Sequence, residues 1–261
     1  MLKNSSSTKK KANNKEPEHP KPHILGVISN IASASVAFFG AQYIALFSVA
    51  IILSIVGNTK DQIVDIISKN VLVQLATSVL VAIIAIKILL KFINRQKSKP
   101  DELFMIKNKP TWNNVIDVIL TYGLYFLTMI IVTIVLQIGT KVDVNQSQEL
   151  GLARPNSFPS YIQLFLLVSI IPPIFEELLF RGYLFNNLSK NTTILASTII
   201  TSILFGAAHL EYDNLNYIAA IDTMIFSVFL IYISQKHKSI YSSMMMHAIK
   251  NSIAFYVLFV R

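Results

Sequence analysis

The sequence predicts an all-α fold, a polytopic membrane bundle of about seven spanning helices, within a range of six to eight, with the N-terminus inside. Three observations carry that expectation. Hydrophobic residues fill 53 % of the 261 positions and charged residues only 14 %, where ordinary soluble domains carry about a quarter charged. Apolar runs recur along the chain at close to the roughly 20 residues that a hydrocarbon core demands. Lysines and arginines gather at the ends of those runs, where they face lipid headgroups and set topology. The net charge of +9 therefore does not point to nucleic acid, since no basic surface alternates with stacking aromatics. There is no cysteine, which excludes disulfides, thiolate metal ligation and a cysteine nucleophile.

Residues 1–23 form a polar, lysine-bearing arm with Pro17, Pro20 and Pro22. It is too poor in apolar area to offset its ordering entropy, so it reads as a disordered basic cytoplasmic arm. It does not read as a signal peptide, because the apolar run after it far exceeds a typical h-region. The first span is best placed at Val36–Val56, with Ile24–Ser35 either extending it or lying along the interface. A second run covers Val71–Ile93 and a third Val115–Ile138, separated by the basic loop Lys91–Trp112, with Trp112 placed as an interfacial anchor. Residues 24–140 thus form an N-terminal transmembrane region. The polar stretch Gly139–Ser160 follows, and its Pro155 and Pro159 end any helix.

A fourth run, Tyr161–Leu188, contains Pro172-Pro173, which lack two backbone donors and are expected to break or kink the helix. That would set the following acidic pair at the positive end of a fresh half-helix. The fifth run is Thr193–Leu210, the sixth Tyr217–Ile233 and the seventh Ile240–Val260. Loops assigned to the inside hold Lys91, Arg95, Lys97, Lys99, Lys107, Lys109, Lys190, Lys236 and Lys238. Loops assigned to the outside hold only Lys60, Lys69, Lys141 and Arg154, and the fifth-to-sixth turn carries Glu211 and Asp213. The sixth run has no glycine, so Ala219, Ala220 and Ser227 are expected to allow close packing there.

Charges inside the apolar runs carry the functional argument. The stretch Phe175-Glu176-Glu177-Leu178-Leu179-Phe180-Arg181-Gly182-Tyr183 sets three charges in a segment long enough to cross a bilayer. Each costs about 2.5–3.5 kcal/mol at a membrane centre on translocon scales. Glu177 and Arg181 stand four apart on one helical face in the favourable order for an ion pair, which can be purely structural. Glu176 points about 100° away and has no partner on its own helix. His209 ends the fifth run, His247 and Asn251 stand four apart in the seventh, and Asp222 and Lys250 are placed to pair across the sixth and seventh. Taken singly, a histidine near a helix end reads as one bonded to a backbone carbonyl. Taken together, the economical arrangement brings Glu176, His209 and His247 to one polar cavity. Counted from the inner helix ends, His209 lies about 10 Å deeper than His247, so helix tilt or a broken fourth segment is needed to join them.

Such a cavity has the parts for activating water. A buried carboxylate is a competent general base, and a histidine can hold or share the proton. A second histidine and an asparagine amide can donate to a developing oxyanion. One Glu and two His are equally the ligand set of a catalytic zinc site, although no HExxH helix is present. The residue types alone leave both chemistries open.

Glu176-Glu177-x-x-x-Arg181 followed by Gly182-Tyr183-Leu184, then Phe205-x-x-x-His209, then His247-x-x-x-Asn251, in that order on three separate spans, resembles the CPBP (Abi) family. These are intramembrane proteases that include type II CAAX prenyl endopeptidases and bacteriocin-processing or immunity proteins. The resemblance covers residues 158–260, which it implies form the catalytic core; the first half matches only in being hydrophobic and helical. It implies Glu176 as the water-activating base assisted by His209, with His247 and Asn251 polarising the scissile carbonyl and stabilising the oxyanion. Glu177 and Arg181 would orient the site. It implies glutamate-dependent hydrolysis without a cofactor, although a metalloprotease label has often been attached to the family; the alternative is zinc on Glu176, His209 and His247. The expected protein is a multi-pass integral protein of the plasma membrane that cuts a peptide or lipid-modified peptide near the bilayer, with membrane lipids as further partners. Two other classes compete. A non-catalytic protein for bacteriocin immunity or peptide binding would not need the Glu/His/His/Asn set, and a small proton-coupled transporter is disfavoured by the absence of an internal repeat.

Overall fold

The computed structural model describes residues 23–139, 152, 154–210 and 217–261, and the regular structure among them is helical. The expected basic arm, most of the polar stretch after residue 139 and the turn carrying Glu211 and Asp213 lie outside the described residues. In chain order the helices are α1 (Ile24–Ile55), α2 (Lys60–Lys69), α3 (Val71–Arg95), α4 (Pro100–Leu103), α5 (Trp112–Gly139), α6 (Phe158–Asn191), α7 (Ile194–Ala207), α8 (Tyr217–His237) and α9 (Ile240–Val260). Six of them, α1, α3, α5, α6, α8 and α9, are long and apolar enough to cross a membrane. Helix α7 is apolar but has 14 residues, about 21 Å at the helical rise and short of a full crossing. The all-α membrane bundle is therefore observed, with a shortened seventh helix.

Local sequence explains where the helices depart from expectation. Helix α1 starts at Ile24 and runs through Val36–Gly40 as a π-helical turn, so Ile24–Ser35 extends the first span. The segment after it contains α2, which begins with a capping box: the Thr59 hydroxyl accepts from Gln62 N, and Thr59 N donates to the Gln62 side chain. Helix α6 corrects the expected break at Pro172-Pro173. The prolines take the first-turn positions of an α stretch that begins at Ile171, directly after a π turn over Leu166–Ile170. That wider turn precedes the two residues without donors, and the helix continues through the acidic pair to Asn191.

In lipid, helices associate through close packing rather than through a hydrophobic drive. Helix α1 lies on α3, and its fully buried Ala37, Ala41 and Ala45 form the stripe of small side chains that this approach needs. The centre of the bundle is α6, whose Leu179, Phe180, Tyr183, Leu184 and Leu188 bury with Phe205 of α7, Phe226 of α8 and Met246 of α9. Large apolar side chains on the outer faces, such as Phe47, Leu124, Ile131 and Ile138, are exposed, as lipid contact requires. Helices α7 and α8 approach each other closely. A Cβ on Gly206 would lie 2.7 Å from the Ala220 carbonyl oxygen and 3.0 Å from Met224 Cβ. The small residue that the glycine-free sixth span requires is thus supplied by its neighbour, against Ala220.

Gly206→Ala is expected to destabilise the protein by about 1–3 kcal/mol through overpacking. Gly123→Ala, where an added Cβ meets nothing within 4 Å, is the control in thermal unfolding in micelles.

Candidate active site

Glu177 is the fixed point of the site. Its side chain and that of Arg181 are both fully buried, and Arg181 Nη1 donates to Glu177 Oε1 at 3.0 Å. The guanidinium lies 4.2 Å from the centre of the Phe205 ring, so α7 supports the cation from its face. The same Oε1 is 2.9 Å from His247 Nδ1 on α9. A carboxylate paired with arginine offers only acceptors, so His247 carries its proton on Nδ1 and turns Nε2 to the other side.

On that other side is Glu176. Its Oε2 is 3.8 Å from His247 Nε2, too long for a direct hydrogen bond, and the side chain is 14 % exposed. Oε2 has no hydrogen-bond partner among the described residues. His247 is therefore held between the two glutamates, bonded to one and facing the other. His209 is fixed in the same sense: its Nδ1 is 2.8 Å from the Phe205 carbonyl oxygen, which must accept, leaving Nε2 unprotonated in the neutral ring. The plain reading of this histidine, a bond to a helix-end carbonyl, is met, yet the ring also lines the cavity. The Phe205 ring contacts both imidazoles, with centroids 4.8 Å from His209 and 5.8 Å from His247. The difference in depth counted along the helices thus does not keep the two rings apart.

Asn251 explains how the prolines are tolerated. The carbonyl of Val168 would meet the N–H of residue 172 in an α-helix or of residue 173 in a π-helix, and both are proline. Asn251 Nδ2 donates to this carbonyl at 3.0 Å. One amide hydrogen is engaged there and the second remains.

Glu176, His209, His247 and Asn251 line one cavity of about 540 Å³ between α3, α6, α8 and α9. Asp222 and Lys250 stand on its wall and pair at 2.5 Å across α8 and α9. Tyr125 of α5 donates its hydroxyl to Asp222, a third member that sequence reasoning missed because a tyrosine in an apolar run carries no charge to flag it. Gln74 of α3 was also missed. It lines this cavity and an adjoining groove of about 380 Å³ that shares Pro172 and Glu176, and its signal was a lone amide near the start of an apolar span.

The donor types suit zinc, since two imidazoles with Nδ1 tied to acceptors present Nε2 as zinc ligands do. Their placement does not: among the described residues no three His, Cys, Asp or Glu side chains converge closely enough to hold a metal ion.

The fold and cavity define a multi-pass membrane protein with a polar centre. Residues 158–253 match the family described as type II CAAX prenyl endopeptidase Rce1-like, so the resemblance to the CPBP family is shown over that segment. A curated relative, an uncharacterized 24.3 kDa protein of Escherichia coli, is 39 % identical over 66 residues, which is 24 % of this chain and 30 % of that protein. The chain therefore spans less than a third of the length of that relative. No solved structure matches the chain.

Arg181→Leu is expected to lower stability by about 3–5 kcal/mol because it removes the cation paired with the buried Glu177 and leaves that carboxylate only its hydrogen bond with His247. Adding Glu177→Gln should restore part of the loss, as read by thermal unfolding of the single and double variants.

Proposed function

We propose that the protein is an intramembrane endopeptidase of the plasma membrane that hydrolyses a peptide bond through water activated by Glu176. The observation that carries this reading is the unpartnered Oε2 of Glu176, a residue that lines one cavity together with two histidines and an amide. A carboxylate committed to an ion pair is a poor base; Glu177 is so committed and Glu176 is not.

In the proposed reaction, water between Glu176 and the substrate carbonyl gives a proton to Glu176 as its oxygen attacks the carbon. His209 Nε2 accepts from the same water and orients it. The carbonyl π pair moves to oxygen, and the oxyanion receives hydrogen bonds from the free Asn251 amide hydrogen and from His247 Nε2–H in its imidazolium form. Collapse breaks the C–N bond, and Glu176 returns its proton to the leaving nitrogen. The cavity and the adjoining groove share Gln74, Pro172 and Glu176, and in this reading an extended peptide lies along them to either side of Glu176. The proposed substrates are leader or signal-like peptides, or lipid-modified peptides, cut near the bilayer. Hydrolysis needs no metal in this scheme.

Reporter peptides co-reconstituted with the purified protein test the assignment. Glu176→Ala is expected to reduce cleavage by at least about 10²–10⁴-fold, and a metal chelator should leave wild-type cleavage intact. Unchanged cleavage by the variant rejects Glu176 as the base; loss with chelator alone transfers the reading to zinc.

A further inference from the structure

A second pocket, of about 490 Å³, lies at the opposite end of α6 from Phe158, where the C-termini of α3, α6 and α8 meet α4. Lys97, Lys99, Lys190 and Lys238 line it, together with Glu102. Glu102 is already neutralised, 3.3 Å from the ammonium groups of both Lys99 and Lys107. The other three lysines have no carboxylate within ion-pair distance among the described residues. Lys190 and Lys238 reach only amide oxygens, of Asn187 and Gln235, each at 3.4 Å. The floor is ordered: Asn186 Nδ2 donates to Leu103 O at 2.7 Å, and Gln235 Nε2 donates to Asn186 Oδ1 at 3.2 Å.

The backbone adds an independent observation. Lys97, Met105 and Lys238 have φ of 54°, 52° and 50°, the non-glycine residues with positive φ among the described ones. All three line this pocket. Each follows a helix end in the wrapped turn that favours glycine, as in Ser98 N→Ile93 O and Ser239 N→Ser234 O. At the other end of the bundle, the equivalent position after α1 is Gly57, with φ of 97°. An L side chain is disfavoured in this region, yet two of the three positions around the pocket hold lysine.

We propose that this pocket binds a phosphate group, presented by a lipid headgroup at the membrane surface or by a free phosphate. Three uncompensated ammonium groups surround a polar floor at the ends of membrane-spanning helices, the setting in which basic pockets hold anionic headgroups. The proposal is independent of the catalytic reading. A competing explanation is that the lysines only offset the negative dipole ends of α3, α6 and α8, and the two differ in what glycine would do.

The test is native mass spectrometry of the full chain in micelles with phosphatidylglycerol, diacylglycerol and inorganic phosphate, on wild type and Lys97→Gly/Lys238→Gly. Wild type should retain phosphatidylglycerol over diacylglycerol. The double variant should bind it about 25-fold more weakly, at about fivefold per lysine, without a lower Tm, because glycine relieves the backbone. Displacement by inorganic phosphate would assign the site to phosphate in general, and no displacement would assign it to the lipid headgroup. Equal retention of phosphatidylglycerol by both proteins, no preference over diacylglycerol, or a lower Tm with unchanged binding would overturn the proposal.

Discussion

A carboxylate with no exposed surface inside an apolar bundle needs cationic or donor partners, and Glu177 is met twice through one oxygen, by Arg181 at 3.0 Å and by His247 at 2.9 Å. The second contact joins α9 to α6, and the stacking of Arg181 on Phe205 joins α7 to both. The charge that would be costliest to bury thus becomes the point where three helices meet. It also determines which nitrogen of His247 is free, and so which face of the ring looks toward Glu176. The site geometry follows from satisfying one buried ion pair.

A second constraint works through the backbone. Two consecutive prolines in α6 leave the Val168 carbonyl without an α or π partner, and a side chain from α9 fills the gap. Asn251 therefore helps hold the helix that carries the acidic pair while one of its amide hydrogens stays available to the cavity. The π turn before the prolines and the amide after them are two parts of one accommodation. The helix continues past the prolines, with a neighbour completing its hydrogen bonding at Val168.

These relations show how far the sequence could be read. The Glu177–Arg181 pair was legible because helical spacing alone makes i and i+4 neighbours, and so was the membrane bundle, since run length follows from bilayer thickness. The pairing of Asp222 with Lys250 was legible from complementary charges on adjacent spans. The uninterrupted α6 was not, because its continuity depends on Asn251, distant in sequence. Nor was the place of His247 between the two glutamates, since spacing within a helix says nothing of which face another helix presents. The end of α7 was not legible, because Ala208 and Leu210 continue the apolar pattern on either side of His209 after the helix has ended. Helix α2 carries its own signal in Thr59 and Gln62, a capping pair at the start of a helix of 10 residues.

Two adjacent carboxylates with separate tasks are the centre of this account: Glu177 holds the frame and Glu176 acts on water. Measuring thermal unfolding and peptide cleavage side by side for Glu176→Gln and Glu177→Gln tests that division most directly. The account predicts that Glu176→Gln unfolds at the wild-type temperature and does not cleave, while Glu177→Gln unfolds at a lower temperature. A Glu176→Gln protein that still cleaves, or a Glu177→Gln protein as stable as wild type, would contradict it.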